Sequence, residues 1–119
     1  MPSKSRVLDV GCGTGYVSLL HNGFYSKGVL VNSIDISKAS VKKGKNYSNN
    51  LNKFNEFILG SALSLPFMDN SFNAAFCIGM LHHISDHVLA IKEMARVSHK
   101  VCCIEPNNNN PMVRRYQYQ

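Results

Sequence analysis

Short apolar runs alternate with longer mixed segments along this chain. Arg6 to Val10 (RVLDV) is β-branched and apolar enough for a first strand. Gly15 to about Asn22 follows as a helix that Gly23 can terminate. Val29 to Ile36 (VLVNSIDI) reads as a second strand, and Ser37 offers a hydroxyl to the free amides of a helix start. That helix carries Val41, Gly44, Ser48 and Leu51 at spacings of three and four. Such a small-residue stripe suits a helix lying on a sheet. The asparagine-rich stretch from Asn49 to Asn55 ends it.

The alternation continues downstream. Glu56 to Gly60 is a third strand, and Leu63 to Ser71, with Pro66, Asp69 and Asn70, is a connection with turn chemistry. Asn73 to Gly79 (NAAFCIG) is apolar nearly throughout, as a strand covered on both faces should be. Ser85 or Asp86 opens a helix with Val88, Ile91, Met94 and Ala95 placed on one side. Val101 to Glu105 (VCCIE) is the fifth strand, Asn107 to Pro111 a turn, and Arg114 and Arg115 fall in a tail expected to be disordered. Strands separated by helical crossovers imply a mainly parallel sheet with right-handed connections. The expected fold is an α/β Rossmann-like three-layer sandwich with five strands in the order 3-2-1-4-5. Its switch point lies between strands 1 and 4, where such sheets bind ligands.

The candidate chemistry converges on that point. Strand 1 runs directly into Asp9-Val10-Gly11-Cys12-Gly13-Thr14-Gly15. Glycines are required where a backbone turns sharply or approaches a ligand with no side chain between. The dinucleotide fingerprint G-x-G-x-x-G would need a glycine at Tyr16, which argues against an NAD-dependent oxidoreductase. Asp35 closes strand 2, twenty residues after Gly15. A carboxylate there can accept hydrogen bonds from both hydroxyls of a ribose; the competing role is an acid favoured by a helix N-terminus. The upstream loop favours the ribose, although an adenosine of either NAD or S-adenosylmethionine (SAM) would satisfy it.

Two further stretches narrow the choice. Gly60-Ser61-Ala62-Leu63-Ser64-Leu65-Pro66-Phe67 closes strand 3, and Ser71-Phe72-Asn73 through Leu81-His82-His83-Ile84-Ser85-Asp86 surrounds strand 4. With the glycine loop and the Glu105-Pro106-Asn107 ending of strand 5, they resemble the class I SAM-dependent methyltransferases of the broad small-molecule type. The resemblance runs from about Arg6 to Asn107, with Ser61 and Asn73 where that family usually has aspartate. It implies SAM as cofactor, bound by Asp9, Gly11, Cys12, Gly13, Asp35, Ile36, Ser61, Ala62 and Cys77, the last through its backbone. It places the residue at Ser61 near the adenine amino group and Leu81 to His83 on the substrate side. The N/D-P-P-Y/F tetrapeptide of amino-methylating nucleic-acid enzymes and a Pro-Cys nucleophile are absent from the sequence. A small-molecule acceptor is therefore expected, with nucleic acid left open. A truncated SAM-binding or structural module without turnover is the competing class.

Composition changes this picture little. The 119 residues, 45% hydrophobic and 17% charged, suit a single domain spanning 1–119. The net charge of +6 comes from scattered lysines, densest at Lys42, Lys43 and Lys45, which read as a solvated helix face. No apolar stretch reaches the roughly 20 residues of a membrane helix, and without a signal core a cytoplasmic location is expected. Cys12, Cys77, Cys102 and Cys103 show neither metal nor disulfide spacing and read as reduced thiols. His82, His83 and His87 beside Asp86 lack a convincing third ligand partner, so no metal is expected. His82 or His83 is instead the candidate general base, since imidazole titrates near neutral pH. The family's strands 6 and 7 are expected to be missing. Strand 5 would then be an apolar edge, either in a fragment of a longer protein or in a minimal form that covers the edge by homo-oligomerising.

Overall fold

A computed structural model describes residues 5–11, 29–50, 55–79, 81, 84–107 and 110–117. Its strands are β1 (Arg6–Val10), β2 (Leu30–Asp35), β3 (Asn55–Leu59), β4 (Phe72–Ile78), β5 (Ser98–Asn107) and β6 (Asn110–Gln117). Two helices are described, α1 (Lys38–Asn50) between β2 and β3 and α2 (His87–Val97) between β4 and β5. The expected helix from Gly15 to Asn22 lies outside the described residues. The strands form one sheet in the order β3-β2-β1-β4-β5-β6. The first five are parallel to one another, in the order the sequence predicts.

Register explains the core. Leu8 lies opposite Ala75, Ala75 opposite Val101, Val10 opposite Ile34 and Cys77 opposite Cys103. Because side chains alternate along a strand, these residues share one face, and all belong to a single buried cluster. Ala90, Met94 and Val97 of α2 cover that face, each fully buried. Their spacing of four and three forms one helical stripe. Val88, expected on this side, is instead 63% exposed. At about 100° per residue it sits across the helix from the Ala90–Met94–Val97 line. Ile91 and Ala95 pack at the margin, partly buried. Asp86 caps the helix, its Oδ1 accepting a hydrogen bond from the Leu89 amide at 3.0 Å.

The loops around β4 are tied down by aromatic and amide contacts. Phe67 and Phe72 meet edge to face with ring centroids 5.0 Å apart, and the Arg6 guanidinium lies 4.9 Å from the Phe72 centroid. Asn73 Oδ1 accepts from the Arg6 amide at 2.8 Å, linking the entry of β1 to β4. Cys77 and Cys103 are buried and Cys102 half-buried; all three are free thiols.

One expectation is corrected at the far side of the sheet. β5 is not an edge, because β6 pairs with it antiparallel from Lys100 opposite Gln117 to Asn107 opposite Asn110. The segment holding Arg114 and Arg115 is therefore a strand, and the chain has a sixth strand where none was expected. Unpaired amides and carbonyls along β5 provide the template for it. Pro111 is compatible with this position because an edge strand can lack a donor. Homo-oligomerisation through an open β5 edge accordingly loses its physical basis.

Candidate functional site

The carboxyl ends of β1, β2, β3 and β4 form one continuous rim, and three glycines set its backbone. Gly11 donates to the Ile34 carbonyl at 2.8 Å, Gly60 to the Asp35 carbonyl at 2.9 Å and Gly79 to the Ile104 carbonyl at 2.7 Å. Each bond adds a rung just past the end of a strand. Gly11 has φ 68°, a left-handed conformation costing an L-residue with a side chain about 1–2 kcal/mol. The turn off β1 thus needs the glycine that the sequence places there.

Asp35 and Ile36 stand at the next strand end. Asp35 is half-buried, and its Oδ1 accepts from the Ser37 amide at 2.8 Å. Ser37 Oγ in turn accepts from the Ser40 amide at 3.2 Å, so the expected serine cap is present. Asp35 therefore helps to start α1 while standing on the rim. Asp35 also engages other neighbouring groups, and a carboxylate offers about four lone-pair positions in all. Ile36 beside it is 75% exposed. Leu59, opposite Asp35 on β3, is 53% exposed, which extends an apolar margin along the same rim.

Beyond β3 the chain makes a tight turn from Ser61 to Ser64. Ser61 Oγ accepts from the Leu63 amide at 3.1 Å, and the Ser61 carbonyl accepts from the Ser64 amide at 3.3 Å. This hydroxyl organises its own turn and keeps a second lone pair. Ala62 is partly buried and packs on the core cluster. Gly60 has a close neighbour: a Cβ there would lie 2.8 Å from Ile34 Cδ1.

The remaining sequence candidates divide clearly. Asp9 is only 5% exposed and engages neighbouring groups; it projects from the sheet face opposite to Leu8 and Val10. Cys77 is fully buried with its side chain in the core, which leaves only its backbone for the rim. Leu81, expected on the substrate side, is 8% exposed and belongs to the core. Cys12, Gly13, His82 and His83 lie outside the described residues. Asp86 is committed to the α2 cap. Among the described residues there is no group of three His, Cys, Asp or Glu able to hold a metal ion. No helix among them is long and apolar enough to cross a membrane.

Sequence reading missed Glu93 and Arg96. Arg96 donates to Glu93 Oε2 at 2.7 Å and Oε1 at 3.1 Å, to the carbonyls of Leu65 at 2.9 Å and Phe67 at 2.8 Å, and to Asp69 Oδ1 at 2.9 Å. Glu93 Oε1 also accepts from the Leu65 amide at 2.8 Å. The Arg96 hydrogen bond, set against burial, holds the Glu93 carboxyl below its ordinary value, and the same pairing raises Arg96. A Glu and an Arg three apart on a helix was the available signal, but their partners on a distant loop were not.

Strand order, the glycine turn and an acid at the end of β2 define a Rossmann-like nucleotide-binding sheet, and its family places it among the class I SAM-dependent methyltransferases. Residues 8–101 match the methyltransferase domain family, and the chain belongs to it. Curated relatives include the uncharacterised methyltransferase YcgJ of Bacillus subtilis, 33% identical over 96 residues, covering 80% of this chain and 37% of that protein. Another is the demethylmenaquinone methyltransferase of Staphylococcus carnosus, 30% identical over 118 residues, covering 97% of this chain and 48% of the relative. The chain thus spans less than half the length of these two relatives. Among solved structures, the 4+2 cyclase SpnF superposes with a TM-score of 0.82 at 28% identity, covering 88% of this chain and 40% of that one. The crystal structure of YcgJ gives a TM-score of 0.79 at 29% identity, covering 87% and 45%.

Proposed function

We propose that this chain forms the cofactor-binding body of a SAM-dependent methyltransferase whose acceptor is a small molecule. The observation that carries the reading is the grouping, on one rim, of the Asp35 carboxylate, the exposed Ile36 and the Gly11 turn. These residues suit a nucleoside with a charged tail. Asp35 would accept from the ribose hydroxyls, and Ile36 would give the base an apolar surface. Gly11, with Cys12 and Gly13, would bring backbone amides close to the amino-acid end, and Asp9 would favour its cationic group. Ser61 and Ala62 would meet the base edge, and the backbone at Cys77 the methionine portion.

SAM supplies an activated methyl group on its sulfonium. The protein's part is to orient the acceptor against it and exclude water, the main source of rate where the donor is already reactive. His82 or His83 is the candidate to take the acceptor's proton. Names among the relatives, such as demethylmenaquinone methyltransferase, support a small-molecule acceptor. Fold likeness alone would not, since a cyclase shares the architecture.

Calorimetric titration of the chain with SAM, and separately with NAD, tests the assignment. Saturable SAM binding without NAD binding is expected. Asp35→Asn keeps an acceptor for the Ser37 amide but removes the charge, whereas Asp35→Ala removes both. Charge-assisted bonds contribute about 1.5–3 kcal/mol, so Asp35→Ala should weaken SAM by roughly ten- to a hundredfold. NAD binding in place of SAM would overturn the proposal.

A further inference from the structure

We infer that Arg96, acting with Glu93, is a positioning residue that sets the Ser61–Ser64 turn against the base of the bound nucleoside. The inference rests on the cofactor reading above and deepens it at one end of the site. With the ribose at Asp35, the order β3-β2-β1 leaves two directions for the ligand. The glycine turn after β1 suits the charged tail, so the base lies towards the end of β3, where Ser61 and Ala62 begin.

That turn is held at both ends. On one side Gly60 donates to the Asp35 carbonyl at 2.9 Å, which couples it to the rim. On the other, Leu65 is gripped through both backbone groups: its amide by Glu93 at 2.8 Å and its carbonyl by Arg96 at 2.9 Å. A guanidinium has five N–H donors in a rigid fork. The five bonds of Arg96 go to Glu93 twice and to Leu65, Phe67 and Asp69 once each. The Asn70 amide closes the clasp by donating to the Arg96 carbonyl at 3.0 Å. The fork therefore draws residues 65–70 onto the last turn of α2 and buries Leu65 to 4% exposure. Four residues remain between the anchors. Their backbone path, and with it the direction of the Ala62 amide and the Ser61 hydroxyl, follows from where Leu65 is held.

A lysine cannot reproduce this. Its ammonium is a point charge with three donors on a flexible stem, too few for two carbonyls and two carboxylates. Arg96→Lys should thus retain the ion pairing while releasing the loop, and Arg96→Met should remove both.

The test compares S-adenosylhomocysteine (SAH) with its deaminated analogue S-inosylhomocysteine, which differs at the base edge alone. Calorimetry is run on the wild-type chain, Arg96→Lys, Arg96→Met and Glu93→Gln. Wild type should prefer SAH by about fivefold, the worth of roughly one hydrogen bond. In the Arg96 variants SAH affinity should fall by about tenfold or more, and the preference should collapse towards unity. Hydrogen exchange at the Leu63 and Leu65 amides, read without ligand, should quicken at least tenfold while the β1 and β4 amides stay protected. An Arg96 that only stabilised the fold would lower the melting temperature and leave the preference intact. Retained preference or unchanged loop exchange in a folded variant overturns the inference. Should Arg96→Met fail to fold, Arg96→Lys and Glu93→Gln carry the same comparison. Failure of wild type to bind SAH would instead remove the cofactor reading, and the inference with it.

Discussion

Gly60 has no room for a side chain. An added Cβ would sit 2.8 Å from Ile34 Cδ1, closer than packed carbons approach. Ile34 is 1% exposed and surrounded by the core, so its methyl can move only by disturbing its neighbours. Gly60→Ala should therefore destabilise the protein by about 1–3 kcal/mol, the usual range for overpacking, read from urea midpoints. Ile34→Val removes the offending methyl and alone should cost about 0.5–1.5 kcal/mol. In the double variant the two losses should fall short of their sum, since one carbon causes the clash. Additive losses would show that Gly60 is needed for another reason. The consequence reaches the site because Asp35 follows Ile34 and its carbonyl accepts from Gly60.

Between residue and fold, α2 shows how an element takes its orientation from what it covers. Two stripes run along its sequence: Val88, Ile91 and Ala95, or Ala90, Met94 and Val97. Both have helical spacing and similar composition; of the side expected from the sequence, Met94 is buried, Ile91 and Ala95 pack at the margin, and only Val88 turns outward. The second is buried because Ala90 is small enough for the helix to approach the sheet while Met94 fills the gap. Met94→Ala should cost about 2–5 kcal/mol, whereas Val88→Ala should stay within about 0.5 kcal/mol. Asp86→Ala removes the cap and should cost about 1 kcal/mol. Thermal denaturation of the three variants would rank them. A Val88 loss equal to that of Met94 would contradict the packing described.

At the scale of the molecule, the Glu93–Arg96 clasp makes stability depend on acid. The Arg96 hydrogen bond holds the folded Glu93 carboxyl below its ordinary value of 4.5, the Leu65 amide adding to it. A group depressed in the folded state binds its proton more readily when unfolded. Its contribution is therefore full above the unfolded value and is lost as pH falls through the folded one. The chain should lose stability as pH drops below the ordinary glutamate value towards the lower folded one, and Glu93→Gln should flatten that limb while lowering stability at neutral pH. Parallel acid limbs in the two proteins would assign the loss to other carboxylates. Asp69 has 71% of its side chain exposed and adds little, as surface ion pairs do.

The first five strands, their parallel order, the Gly11 turn and the position of Asp35 were all legible in the sequence. The reason is local: alternating apolar runs, glycines and a serine cap state their own geometry within a few residues. Asn73, read as a departure from the family aspartate, proved to hold the entry of β1 through a bond 67 residues distant in sequence. β6 was hidden by Pro106, Pro111 and the asparagine run, which signal a stop, and became a strand because β5 presented unpaired backbone to it. The clasp around residues 65–70 likewise joins groups about 30 positions apart. Short-range chemistry determined the elements. Only folding could decide which unsatisfied groups met, because hydrogen bonds between distant segments leave no periodic trace in the chain that makes them.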